Sequence, residues 1–134
     1  MATSKVTYVG DLRTSSIHIN SGSEIISDAP VDNNGKGEAF SPTDTVANAL
    51  ASCMFTVMGI KANEMGIDFK GAVAEVTKVM GTEPRRITEI HITFNMGLQT
   101  DDKTKTILER TGMTCPVLYS LHPDIKKEIV FNWQ

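Results

Sequence analysis

The segment FSPTDTVANALASCMFTVMGIKANEMG, from Phe40 to Gly66, reads as one long helix. Ser41 suits the N-cap and Pro42 the first helical position, while Asp44 falls where a carboxylate meets free amides and the positive end of the dipole. Val46, Leu50, Cys53, Val57 and Ile60 recur at spacings of three and four and share one face, and Gly66 caps the end. From Pro42 to Met65 such a helix is about 36 Å long, more than a domain of this size covers alone. A second copy of the chain is therefore expected to cover it, which predicts a homodimer. The uncharged run from Thr45 to Ile60 is interrupted by Asn48, Ser52 and Thr56. It also falls short of the roughly 20 apolar residues of a bilayer span, so no membrane partner is expected.

With 134 residues the chain has room for one core, and residues 1–134 are expected to form a single domain. Lys5 to Val9 and Thr14 to Ile19 alternate polar and apolar side chains, and Glu24 to Ser27 follows a turn at Asn20, Ser21 and Gly22. The three predict a meander. The stretch from Asp28 to Phe40 holds Pro30, Asn33, Asn34, Gly35 and Gly37 and reads as a loop. After the long helix, Ala72 to Met80 and Arg86 to Phe94 form a hairpin around Gly81 and Pro84. A second helix runs from Thr100 to Thr111, capped by Thr100 or Asp101, and CPVLYSLH opens a short third one. Glu128 to Trp133 returns to the sheet. The class is α+β with a mostly antiparallel sheet.

A net charge of −3 provides no basic field for a phosphate backbone, so no nucleic-acid partner is expected. The start, MATSKVTYVG, enters an alternating pattern directly and reads as no export signal, so a cytoplasmic location is expected. In that compartment most thiols stay reduced, and a purely structural use of the two cysteines is the less expected one. No GxGxxG, GxxxxGK or GxSxG string occurs, so nothing supports a nucleotide cofactor or a serine hydrolase. His18, His91 and His122 lack paired spacing, so no metal is expected.

Cys53 lies on the apolar stripe of the helix, where a cysteine is commonly an inert small hydrophobe. Cys115 stands after Gly112 and directly before Pro116, at a helix start, where amides and the dipole are expected to lower its pKa. The two are 115 − 53 = 62 positions apart, so only the fold can pair them. A peroxide-reducing cysteine needs a thiolate, a nearby cation and an apolar cavity. Phe40, Met54, Phe55 and Met58 are candidates to line the cavity, with plain core packing as the alternative. Arg13, Arg85, Arg86 and Arg110 are the available guanidinium groups. A cysteine hydrolase would need His91 or His122 as base, and no local motif supports it.

The stretch from DAPVDNNGKGEAFSPTD through ALASCMFTVMGIKANEMGID, joined to TCPVLYSL, resembles the OsmC/Ohr family of osmotically or peroxide-inducible bacterial proteins. The resemblance implies an intertwined homodimer with paired long helices wrapped by sheets from both chains. It also implies reduction of organic hydroperoxides. Cys53 would become a sulfenic acid, Cys115 would condense with it to a disulfide, and a dithiol would restore both. By the same resemblance Asp44 takes the place of an acidic residue near the helix start, where many relatives carry glutamate. Arg13, the only arginine of the N-terminal strand region, takes that of the thiolate-holding cation. The alternative within the family is a stress-related protein that binds a small apolar molecule without turnover.

Overall fold

The computed structural model describes all residues from Met1 to Gln134, which fall into two compact units, Met1–Val46 and Ala47–Gln134. The first unit is a meander of β1 (Ser4–Gly10), β2 (Arg13–His18) and β3 (Glu24–Asp28), antiparallel throughout. Asp11 and Leu12 both take positive φ, 52° and 64°, as a two-residue hairpin turn between twisted strands requires. Val6 and Ile25 both stand opposite Ser16, so they share a face with Tyr8, and all three are exposed. The loop after β3 contains one 3-10 turn, Val31–Asn33, where no regular element was expected.

Helix α1 (Pro42–Glu64) starts in the first unit and continues into the second. Its start is a reciprocal capping box: the Asp44 amide donates to Ser41 Oγ at 3.0 Å, and the Ser41 amide donates to Asp44 Oδ2 at 2.9 Å. By length and composition α1 would pass for a membrane-crossing helix, but one side of it is core.

The buried side only partly coincides with the one its spacing picks out: Leu50 is fully buried and Cys53 and Val57 pack against the core, but its centre lies to one side. Ala47, Leu50, Ala51, Met54, Met58 and Ala62 face inward, while Val46 and Ile60 are 39% and 58% exposed. Thr45, Asn48, Ser52 and Thr56 mark the outward stripe, but the rest of the helix is apolar or small, so periodicity discriminates weakly among the remaining faces. The inward stripe is the one with alanines, which allow close approach.

In the second unit, β4 (Val73–Gly81) and β5 (Arg86–Asn95) pair antiparallel, and β6 (Lys126–Asn132) lies parallel on the other side of β5. A parallel neighbour needs a crossover, which α2 (Asp102–Gly112) and α3 (Pro116–Ser120) supply. Asp101 caps α2 by accepting from the Thr104 amide at 2.8 Å. Ile90, Ile92 and Phe94 of β5 join the inward stripe of α1, together with Met96, Leu108 and Cys115, in one buried cluster. At its centre Phe94 meets Phe55 edge-on and stacks on Phe131, each with ring centroids 5.0 Å apart.

Candidate active site

Two cysteines far apart in the chain meet in the second unit. Cys53 projects half-buried from the middle of α1, Cys115 is fully buried at the start of α3, and both are free thiols. They are neighbours, close enough for Cys53 to contribute to the rise of the Cys115 thiol. Cys115 also caps its own short helix, its Sγ accepting from the Leu118 amide at 3.4 Å.

The acidity expected of Cys115 is reversed. Burial pushes its thiol up, the nearby Cys53 raises it further, and the Leu118 and Val117 amides offset only part of this. A five-residue helix contributes few aligned dipoles, whereas complete burial removes all water from the sulfur. The pair therefore holds an accessible sulfur and a sheltered one kept as thiol, a division suited to first and second roles in a redox step.

Arg13 is engaged within the first unit. Its Nε donates to Asp28 Oδ1 at 2.7 Å, and its Nη2 donates to Asp28 Oδ2 at 2.8 Å and to Glu38 Oε1 at 3.0 Å. Asp28 is 1% exposed and also accepts from the Glu38 amide at 3.1 Å. The guanidinium holds the Asp28 carboxyl below the usual carboxylate range, and the carboxylates raise Arg13 in turn. Its role here is to tie β3 to the loop beyond it. Arg13 and Asp28 stand opposite each other in the β2–β3 register, each one residue outside the strand bounds expected from the sequence. Asp44 serves the helix start through its bond with Ser41.

The four apolar candidates separate. Phe40 is 55% exposed, whereas Met54 and Met58 are wholly buried beneath Gly112, the core-packing alternative. Phe55 lines a cleft of about 260 Å³ with Gly59, Ala62, Ile67, Phe69 and Ala72, and neither cysteine lines that cleft.

The model of the OsmC-like protein family matches residues 35–130, which include both cysteines. The chain belongs to the OsmC-like family. Its fold is that of a crystal structure from Psychrobacter arcticus 273-4, assigned to osmotic stress induction and detoxification response. The two are 59% identical with a TM-score of 0.96, over 98% of this chain and 96% of that one. An organic hydroperoxide resistance protein OsmC from Legionella pneumophila shares the fold at 13% identity and a TM-score of 0.72, over 98% of each chain. So does an organic hydroperoxide resistance protein from Elizabethkingia anophelis, at 14% identity and a TM-score of 0.75, over 100% of this chain and 98% of that one. No curated protein matches the chain. OsmC-like membership thus accounts for the two-sheet α+β architecture.

Proposed function

We propose that this OsmC-like chain is a cysteine-based peroxidase for organic hydroperoxides. The observation that carries the reading is the meeting of two free thiols, one half-buried and one sheltered, from positions 62 apart. In the first step the Cys53 thiolate attacks the distal oxygen of ROOH. The O–O bond breaks, the alkoxide takes a proton and leaves as ROH, and Cys53 becomes a sulfenic acid. Cys115, as thiolate, then attacks the Cys53 sulfur. The S–S bond forms, the S–O bond breaks, and hydroxide leaves as water after taking a proton. A dithiol of the lipoyl class donates two electrons, restoring both thiols and itself becoming a disulfide.

The hydroperoxide-resistance relatives support this substrate class. Arg13 and Asp44 belong to the reading as the family's cation and acid, Arg13 being shared with Asp28. The exposed apolar face of Val6, Tyr8 and Ile25 supports a homodimer in which a second copy covers it. Its setting is the cytoplasm, where dithiol reductants are available.

Purified protein given cumene hydroperoxide and dihydrolipoamide is expected to consume the peroxide, and Cys53→Ser to abolish turnover. Unchanged turnover in that variant would sink the mechanism. Sedimentation velocity on the same sample is expected to return a dimer, and a monomer at micromolar concentration would remove that part.

A further inference from the structure

Gly112 is a glycine that the backbone does not require. Helices recruit glycine just past their ends for its positive φ, but Gly112 is the last residue inside α2. The cap is Met113, at φ −76° and ψ 2°, and Gly112 takes no left-handed conformation. Alanine is the better helix former, so local structure argues against glycine here.

What glycine provides is space. A Cβ at position 112 would lie 3.0 Å from Met58 Sδ, 3.2 Å from Met58 Cγ and 3.4 Å from Met54 Cε. Unstrained carbon contacts lie at about 3.5–4.0 Å, and both methionines are fully buried in a close-packed cluster with little room to yield. Met54 directly follows Cys53 in α1, and Cys115 comes three residues after Gly112. The link is held throughout: the Met113 amide donates to the Glu109 carbonyl at 3.2 Å. The Thr114 amide and hydroxyl donate to the Thr111 carbonyl at 3.0 and 2.7 Å. A displacement at the end of α2 is therefore carried to the second thiol.

We infer that Gly112 is a positioning residue for Cys115. Its missing side chain seats α2 on Met54 and Met58 and so keeps the Cys115 sulfur within bonding reach of Cys53. This rests on the peroxidase reading and deepens its second step. Disulfides tolerate little error, with S–S near 2.05 Å and Cβ atoms about 3.5–4.5 Å apart, and a misplacement of about 1 Å can slow a reaction about a hundredfold.

The test separates the two steps in Gly112→Ala, a change that favours the helix. Sulfenic acid formation at Cys53 is followed by dimedone trapping after cumene hydroperoxide, and disulfide closure by loss of free thiols. Closure is also driven by diamide without peroxide. The expected result is sulfenic acid formation within about twofold of the parent and closure slowed about tenfold with either oxidant. Adding Met58→Val, which removes the sulfur at the tightest contact, is expected to bring closure back toward the parent rate. Closure at the parent rate in Gly112→Ala, an equal slowing of both steps, or a double variant as slow as the single one would overturn the inference. A parent protein that forms no sulfenic acid with hydroperoxide, but whose diamide closure slows in Gly112→Ala, would retire the peroxidase reading and leave the role of Gly112 standing.

Discussion

Disulfide closure should accelerate steeply with pH, because the sulfur that performs it is held as a thiol. An ordinary cysteine titrates near pH 8.5 and is about 3% thiolate at pH 7; Cys115 is shifted upward from that, with burial as the largest cause. The contribution of the Cys53 thiol is lost once that residue becomes a sulfenic acid, but burial, the larger cause, remains. For a group titrating above the range sampled, the thiolate fraction rises about tenfold per pH unit. The rate of Cys115 thiol loss after a single turnover should thus rise close to a hundredfold between pH 6 and 8. The assay is rapid chemical quench with a thiol-reactive label, started from Cys53 sulfenic acid, which separates closure from the ionisation that precedes peroxide attack. A rate that is flat across that interval would mean Cys115 is already thiolate. Burial would then not govern the acidity of Cys115, and the amides of the helix start would.

Phe94→Ala should cost about 3–5 kcal/mol, since it removes a fully buried ring packed against Phe55 and Phe131. With about 0.28 kcal/mol/K of unfolding entropy for 134 residues, that is a fall in melting temperature of about 11–18 °C by calorimetry. A fall below 5 °C would refute the packing described. Asp28, whose folded-state pKa is depressed chiefly by its bonds with Arg13, stabilises the fold above its unfolded-state value, and that contribution is lost as pH falls through the folded one. Acid unfolding should begin at higher pH in Arg13→Met than in the parent, and coincident curves would count against the pair.

Much of the element order was legible because local chemistry specifies it. Period-two alternation marked β1 and β2, Ser41, Pro42 and Asp44 marked the start of α1, and Asp101 was one of two candidate caps for α2. What failed to show were properties set by the rest of the fold. The inward side of α1 depends on which side chains let β5 approach, so Ala47 and Ala51 are chosen over Val46. At Cys115 the visible Pro116 spoke for a helix start, while the complete burial that reverses its acidity comes from residues distant in sequence. That Cys53 and Cys115 meet likewise depends on tertiary packing, and the spacing of 62 neither requires nor forbids it.

The parallel pairing of β5 with β6 has a mechanical corollary. The chain leaves the sheet after Asn95 and re-enters it at Lys126, opposite Glu89, so the 30 residues from 96 to 125 carry α2, Cys115 and α3 between two neighbouring strands. The two strands that bound that excursion are held side by side by the ladder from Glu89–Lys126 to Asn95–Asn132. Any rearrangement that bonding or release of sulfur demands must therefore be absorbed inside the excursion, while the sheet that anchors it stays closed.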